Sequence, residues 1–421
     1  MKKLFKEELQ FNRAYYYAAL GFALLIPFDQ KWVTIALLVW VFLSLITFGK
    51  KGAQKNKFLL LLPALYLSYA LGLFTSVEPS YTFLEYKLSL IAFPLLFFLH
   101  HYSEKERKNI LKGLIYGLLA VSIVCFLAAL YRSVFFEEGA LVFKANVEEG
   151  RGFFEAVIFG GNQFFGQHFS FFHQTVYFAM YLCAGIAILL HYKNIFSTKF
   201  RWLLIALFTL EIFLISNKAG IVVVCAVFLI SIITAKTTKL KKAAALGLLA
   251  LLIGTLAYTN PRLNESIGKL FKGEISLDKE ARYDYKTRSL CWDAALELIQ
   301  EKPLLGYGLG DTQKALNKVY AEKEYKVPLA ENFNAHNLFM QLWLENGLIG
   351  LLLLILIFGL LFKKAFGTKE PLGFILMILA IFLINGLFES FFSRFSGISF
   401  FAFFISFIYT QTNATEKNIE S

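Results

Sequence analysis

Long apolar runs, separated by short polar segments, dominate the chain. An α-helix needs about 20 apolar residues to cross the hydrocarbon core of a bilayer, and fewer where neighbouring helices cover its ends. Runs of this kind predict about twelve transmembrane helices. They cover residues 14–29, 32–48, 58–75, 83–99, 110–131, 173–191, 202–216, 219–235, 243–259, 337–362, 371–388 and 395–410. We therefore expect an all-α integral membrane protein in which residues 1–421 form a single polytopic domain.

The composition indicates the same class of protein. Hydrophobic residues make up 57% of the chain and charged residues 17%, and phenylalanine alone occupies 47 positions. A water-soluble fold needs a larger polar share, because much of the surface of any folded domain stays in contact with water. A surface that faces lipid can instead be apolar. The composition therefore disfavours a soluble globular protein.

The net charge of +12 follows the predicted topology. Lysine and arginine cluster in alternate connections, at 2–13, 50–57, 105–112, 193–201, 236–242 and 363–369. The short connections on the other side contain only Lys31, Lys218 and Arg394. This alternation satisfies the positive-inside rule and predicts that both termini are cytoplasmic. The positive charge is then a property of the cytoplasmic loops beside membrane lipids, and we expect no nucleic-acid partner.

Two predicted outer segments are too long to be simple connections, and long loops in compact proteins usually carry function. The first covers residues 132–172 and the second covers 259–336. Within the second, residues 287–301 have an amphipathic helical pattern that Pro303 ends. Asp311 is a candidate N-cap for a further helix through Tyr320. We expect a small helical cap over the bundle, and a polar, disordered cytoplasmic tail at 411–421.

Ionisable residues near the bilayer are energetically costly and are candidates for function. In this chain they gather at the predicted outer face. They are Lys87, His173, Lys218, Arg288, His336, Glu389 and Arg394. Several cations and a histidine at one face suit an anionic ligand such as a phosphate or pyrophosphate. The alternative for each cation is that its side chain extends to the lipid headgroups.

His336 has the most specific interpretation of this set. If Asn334 is an N-cap, His336 lies in the first turn of the tenth span, where the helix dipole attracts anions. The dipole also favours the neutral imidazole, which can act as a general base, whereas a nearby pyrophosphate would oppose this. Both roles therefore stay open. Glu345 is not expected to pair with His336, because nine helical residues place it about 180° away and about 13 Å deeper. We interpret it as an interhelical polar contact.

No cofactor motif is present in the sequence. Residues 306–310 (GYGLG) lack the spacing of a nucleotide-binding loop, and a turn after the 287–301 helix explains them better. There is no HExxH motif, no pair of cysteines at CxxC spacing and no acidic cluster suited to a metal. We therefore expect chemistry without a metal ion or a cofactor.

Several short motifs together resemble the O-antigen ligase and O-antigen polymerase family of membrane glycosyltransferases. Arg288 and Trp292 precede residues 302–310 (KPLLGYGLG), and residues 336–339 (HNLF) precede residues 345–350 (ENGLIG). Residues 216–220 (SNKAG) are similar to the Ser-Arg-Ala/Gly turn of the family, with Lys218 in place of the usual arginine. The motifs cover about 135 residues, and the predicted topology extends the resemblance to the whole chain.

The resemblance implies a metal-independent glycosyltransferase with a GT-C-like fold, acting in lipopolysaccharide or polysaccharide biosynthesis. Its donor would be a glycan linked to undecaprenyl pyrophosphate, and its active site would be on the periplasmic face of the bacterial inner membrane. Lys218 and Arg288 would bind the pyrophosphate, with Lys87 as a further cation. His336 and Arg288 would be catalytic, and His173, Glu389 and Arg394 are additional candidates.

The resemblance leaves the acceptor hydroxyl open. It would be a lipid A-core sugar in a ligase, the end of another lipid-linked glycan in a polymerase, or a side chain in a protein O-oligosaccharyltransferase. A secondary transporter for an anionic solute is the alternative from another class. Transporters usually contain internal repeats with charges near the membrane midplane. Here no repeat is visible and the charges lie at one face, which disfavours transport.

Overall fold

The computed structural model describes residues 13–48, 56–148, 150–152, 155–156, 161–259, 285–367 and 372–410. The tail at 411–421, the N-terminal residues 1–12 and residues 260–284 of the second outer segment lie outside the described residues. The described chain is predominantly helical, and each of the twelve predicted segments contains a helix. Helix formation in these segments is therefore confirmed.

Two compact groups of residues make up the chain. The first unit comprises Met1–Leu43, Tyr102–Glu274 and Pro371–Ile381. Its elements are α1 (Ala14–Leu25), most of α2 (Gln30–Ile46), α6 (Glu104–Ser133), α7 (Thr175–His191), α8 (Thr198–Ile215), α9 (Lys218–Thr234), α10 (Lys239–Thr259) and the first part of α15 (Leu372–Phe388). Helix α1 packs on α6, and α7 packs on both α8 and α9.

The second unit comprises Ser44–His101, Ile275–Glu370 and Phe382–Ser421. Its helices are α3 (Leu61–Thr75), α4 (Tyr81–Glu85), α5 (Ser89–Leu99), α11 (Tyr285–Glu301), α12 (Gly308–Glu322), α13 (Lys326–Ala330), α14 (Leu338–Gly367) and α16 (Phe395–Tyr409). Helix α14 packs on α3 and α11, and α16 packs on α5. The expectation of one polytopic domain stays a prediction.

Four helical stretches of the described chain are long and apolar enough to cross a membrane. They are Lys57–Phe74, Tyr81–Leu99, Glu104–Ser133 and Leu338–Gly367. Six further apolar helices have 10–17 residues, below the length of an unassisted span. The chain is therefore a helical membrane protein, and the number of twelve spans stays a prediction.

A β-hairpin in the first outer segment departs from the expected all-α fold. Strand β1 (Val134–Glu137) pairs in antiparallel fashion with β2 (Ala140–Phe143). The connecting residues Glu138 and Gly139 both have positive φ, as the two-residue turns that match strand twist require. Aromatic and β-branched residues on both sides of this Glu-Gly pair are typical of strands. Apolar runs of helical length do not reveal this hairpin.

The second predicted outer segment is helical where the structure describes it. Its helices α11, α12 and α13 are called the helical layer below. Helix α11 covers the predicted 287–301 helix and ends before Pro303. Its buried residues Leu290 and Leu298 pack with Leu316 and Tyr320 of α12 in one hydrophobic cluster. The helix predicted at 287–301 and the further helix predicted through Tyr320 are therefore confirmed.

The predicted N-cap role of Asp311 is wrong. Helix α12 begins at Gly308, so Asp311 lies inside its first turn. The Asp311 carboxylate instead accepts hydrogen bonds from the backbone N–H groups of Val77, at 2.6 Å, and Glu78, at 3.2 Å. It satisfies the backbone of a different segment, the one that follows α3, which local sequence could not reveal.

The glycine motifs of the second unit fit together through their backbones. Gly347 interrupts α14 with φ 62° and ψ −163°, and the following N–H of Leu348 donates to the carbonyls of Pro303 and Leu304, both at 3.1 Å. The N–H of Tyr307 donates in return to the carbonyl of Leu344 at 2.7 Å. A Cβ atom at position 347 would lie 2.1 Å from the Leu304 carbonyl oxygen. The turn predicted at 306–310 is confirmed for Gly306 and Tyr307, which pack against the interrupted helix, whereas residues 308–310 already belong to α12.

Candidate functional site

His336 lies in the connection between α13 and α14, in the second unit. Asn337, not Asn334, is the N-cap of α14, because its Oδ1 accepts from the N–H groups of Phe339 at 3.0 Å and Met340 at 3.1 Å. Asn334 instead accepts from the N–H of His336 at 2.9 Å, and His336 has φ 45°. The prediction that His336 occupies the first helical turn is therefore wrong. The residue precedes the cap, so its position depends on this turn rather than on the helix.

The imidazole of His336 faces the carboxylate of Glu389. Nδ1 of His336 lies 3.5 Å from Oε2 of Glu389, and the two side chains are 21% and 14% exposed. The ring of Phe333 contacts the imidazole edge-on, with centroids 4.9 Å apart. Nδ1 of His336 is buried and forms no hydrogen bond among the described residues, so its contact with Glu389 is one of proximity. A carboxylate that accepts a hydrogen bond from one ring nitrogen selects the tautomer and orients the ring, so that the other nitrogen can serve as a base. The structure thus brings together two of the predicted site residues.

Direct hydrogen bonds fix the segment that carries Glu389 to the start of α14. The N–H of Asn337 donates to Oγ of Ser390 at 3.1 Å. Its side-chain amide donates to the carbonyl of Leu387 at 3.2 Å. Leu387 and Ser390, which lie before and after Glu389, are therefore both linked to the residue that follows His336. Neither Asn337 nor Ser390 was among the predicted site residues, although an asparagine directly before an apolar helical run is a cap signal.

Lys87 points into the protein. Its side chain is buried, its ammonium donates to the backbone carbonyl of Phe392, and Nζ lies 4.8 Å from the centroid of the Tyr69 ring. An outward orientation toward lipid headgroups, the alternative considered above, is therefore excluded. The contact ties Lys87 to the short 3₁₀ turn Phe391–Ser393, which lies between Glu389 and Arg394.

The two arginine candidates also belong to the second unit. Arg288 is half-buried near the start of α11, a helix that packs on α14. Arg394 is exposed, and its carbonyl accepts from the N–H groups of Gly397 and Ile398 at the start of α16, each at 3.2 Å. Both arginines are therefore at least partly exposed at the protein surface, which an arginine needs in order to bind an anion.

Lys218 and His173 belong to the first unit. Lys218 is the first residue of α9, after Ser216 in the left-handed conformation and the N-cap Asn217, whose Oδ1 accepts from the N–H of Gly220 at 2.8 Å. The predicted tight turn is therefore confirmed. A Cβ atom on Gly220 would lie 2.7 Å from Cβ of Ala179 in α7, so this glycine lets the two helices approach.

His173 precedes α7 and is half-buried. Its ring contacts Tyr181 edge-on with centroids 5.2 Å apart, and its carbonyl accepts from Oγ of Ser170 at 2.6 Å. Its Nε2 atom is buried without a hydrogen-bond partner among the described residues. These contacts show an aromatic environment, and a functional role for His173 stays a prediction.

The strongest charge cluster of the helical layer is structural. Lys323 contacts Asp293 at 2.6 Å and Glu297 at 2.5 Å, and the hydroxyl of Tyr325 donates to Asp293 at 2.8 Å. Burial alone would raise the pKa of Asp293, but the hydrogen bonds from Lys323 and Tyr325 lower it overall. Burial and the same carboxylate raise the pKa of Tyr325 to about 12. The cluster joins α11 to the end of α12.

Comparison with known proteins supports the same region of the chain. The family model described as O-Antigen ligase matches residues 203–355. This segment includes Lys218, Arg288 and His336, whereas Lys87 and Glu389 lie outside it.

A curated protein from Salmonella typhimurium, named O-antigen ligase, is 26% identical over 143 residues. The match covers 33% of this chain and 34% of that protein, so it spans about one third of the curated relative. The resemblance that the motifs indicate is therefore confirmed, and residues 203–355 are identified with the O-antigen ligase family.

Proposed function

We propose that this protein is a glycosyltransferase of the O-antigen ligase type. It moves a glycan from an undecaprenyl-pyrophosphate donor to a hydroxyl acceptor at the periplasmic face of the bacterial inner membrane. The observation that carries the proposal is the pairing of His336 with Glu389, next to the segment that matches the family. A base oriented by a carboxylate is the group that a transfer to a hydroxyl requires.

In the proposed reaction the acceptor oxygen attacks the anomeric carbon of the donor sugar. The bond from this carbon to the pyrophosphate breaks, undecaprenyl pyrophosphate leaves, and a single displacement inverts the configuration. His336 accepts the hydroxyl proton at Nε2 while Nδ1 faces Glu389, which stabilises the imidazolium.

The family resemblance assigns the leaving pyrophosphate to Lys218 and Arg288. Their fixed positive charge stabilises the negative charge that develops on the pyrophosphate, so the proposed reaction needs no metal ion. Lys218 supplies charge without the two-pronged geometry of an arginine. Arg394, exposed beyond the Phe391–Ser393 turn, is a further proposed contact for an anionic substrate. The contacts of Lys87 support a positioning role instead.

We propose a lipid A-core sugar as the acceptor, because the family model and the curated relative both carry the name O-antigen ligase. The test is deletion of the gene in its host, followed by analysis of lipid-linked glycans and complementation with the wild type or His336→Ala. Loss of a ligase leaves long lipid-linked chains that are not attached to lipid A-core. Only the wild type should restore their attachment.

Other outcomes identify the alternatives. Accumulation of single repeat units would indicate a polymerase, and loss of glycan from proteins would indicate a protein O-oligosaccharyltransferase. Unchanged glycans after deletion would contradict glycan transfer and favour transport. Full complementation by His336→Ala would contradict a catalytic role for His336.

A further inference from the structure

Two polar side chains of α14, which follows His336 in the chain, are buried. Gln341 and Glu345 are 6% and 7% exposed, and the amide of Gln341 donates to Oε1 of Glu345 at 2.7 Å. The other end of the same amide, Oε1, accepts from the N–H of Ala335 at 3.0 Å. Ala335 is fully buried and directly precedes His336. One amide therefore joins the Glu345 carboxylate to the backbone of the His336 turn.

Lys87 lies in the turn between α4 and α5, and its ammonium donates to the carbonyl of Phe392. A buried charge is unfavourable unless a charge of opposite sign and hydrogen bonds compensate it. The Phe392 carbonyl provides the hydrogen bond for Lys87. The buried Glu345 carboxylate provides the opposite charge, although the two side chains do not form a direct ion pair. Attraction between these charges therefore couples Glu345, through Lys87, to the turn that follows Glu389.

The network reaches both halves of the candidate site. Through Gln341 it contacts the residue before His336, and through Lys87 it contacts the turn after Glu389. We propose that Lys87, Gln341 and Glu345 form a buried positioning network that sets His336 against Glu389. The catalytic importance of this network rests on the proposed function, whereas its effect on the His336 ring does not.

This role differs from that of a pyrophosphate ligand, which was the prediction for Lys87. A ligand must present its ammonium to the substrate, whereas the Lys87 side chain is 2% exposed and its ammonium already contacts protein groups. Its removal should therefore change the orientation of the catalytic pair rather than the affinity for the donor.

The first experiment measures His336 without any substrate. The full-length protein in lipid nanodiscs is treated with diethyl pyrocarbonate, and mass spectrometry gives the modification rate of His336 relative to His168. Gln341→Met removes both hydrogen bonds at similar volume, and we expect His336 to react about fivefold faster. The matched control is Ser68→Ala, which removes a buried bond to Asn346 of the same helix. It should leave the rate unchanged.

An unchanged rate in Gln341→Met, or an equal increase in Ser68→Ala, would overturn the proposal. If Gln341→Met does not fold, Glu345→Gln decides the same question, since it preserves volume and removes the counter-charge of Lys87. We expect a rate increase of about twofold or more in this variant.

The second experiment is a kinetic cycle of Lys87→Met, Glu345→Gln and the double variant in glycan transfer. A network predicts a reduced kcat with little change in donor KM, and a double variant no slower than the slower single variant. A raised donor KM in Lys87→Met with multiplicative losses would identify Lys87 as a ligand. If wild-type protein transfers no glycan, the proposed function fails, and the modification rates still decide whether the network positions His336.

Discussion

Nδ1 of His336 lies 3.5 Å from Oε2 of Glu389, although the whole of α14 and α15 separates the two residues along the chain. Hydrogen bonds from Asn337 to Ser390 and Leu387 hold the two segments together. In the proposed reaction the two side chains have different roles. His336 exchanges the proton, and Glu389 orients the imidazole and stabilises its charged form.

Replacement of either residue should therefore slow glycan transfer to different degrees. We expect His336→Ala to lower kcat by about 10³-fold or more, and Glu389→Gln by about 10- to 100-fold. The double variant should be no slower than His336→Ala, because Glu389 acts only through the imidazole. Transfer by purified protein to an isolated acceptor measures this. Full activity of His336→Ala, or a larger loss in Glu389→Gln than in His336→Ala, would contradict these roles.

Charge and geometry can be separated at position 218. Lys218→Arg keeps the charge and adds the two-pronged geometry, so donor KM should be unchanged or lower. Lys218→Ala should raise it by about tenfold or more, since a charge-assisted hydrogen bond is lost. The control is Lys31→Ala, which removes another lysine at the predicted outer face. Equal kinetics of the arginine and alanine variants would show that this side chain does not contact the donor.

Asp311 should stabilise the helical layer through its bonds to the Val77 and Glu78 amides. Asp311→Ala leaves both donors without their carboxylate, and we expect a loss of about 1–3 kcal/mol in the free energy of unfolding. Lys314→Ala removes only the exposed ion pair with Glu78 and should change stability by less than about 1 kcal/mol. Thermal unfolding in detergent compares the two variants. Similar midpoints for both would argue that the Asp311 bonds contribute no more than a surface pair.

The Asp293 carboxylate predicts a dependence of stability on pH. Its pKa is lowered in the folded state, because hydrogen bonds from Lys323 and Tyr325 outweigh burial. Its contribution is therefore fully present above the unfolded pKa of about 3.9 and is lost as the pH falls through the lower folded pKa. Asp293→Asn should unfold at a lower temperature than wild type at pH 7, and the difference should shrink below about pH 4. A difference that is constant with pH would contradict the ionic origin.

An exposed pair provides the control for this measurement. Glu322→Gln disrupts the contact between Lys318 and Glu322 on α12, at 3.8 Å, and should have little effect at any pH.

Topology can be tested with single cysteines at two exposed positions. Glu138→Cys lies in the turn of the hairpin, and Asn194→Cys lies between α7 and α8. The positive-inside rule places the first outside and the second in the cytoplasm. A membrane-impermeant maleimide should label only the first in intact spheroplasts and both after lysis. The wild type, in which three of the four native cysteines are buried, is the background control. Labelling of both sites before lysis would overturn the predicted topology.

The spacing and chemistry of neighbouring residues were enough to predict the helical segments, a turn after the 287–301 helix and the tight turn before Lys218. These features depend on the spacing of apolar residues and on the conformations open to glycine, proline and asparagine, which act over a few neighbouring residues. The separation of Glu345 from the imidazole of His336 was predicted from helix geometry, but His336 lies outside α14, so that geometry does not fix their relative rotation.

The hydrogen-bond and charge partners of the polar side chains became known from the tertiary structure alone. It assigned the cap of α14 to Asn337, directed Asp311 to the Val77 and Glu78 amides, turned Lys87 toward Phe392 and set Glu389 beside His336. Most of these partners are distant in the chain. For the cap of α14, two nearby asparagines, Asn334 and Asn337, were equally suitable by local sequence. A buried polar group must satisfy its hydrogen bonds with whatever packing brings near it, and packing is a property of the whole fold.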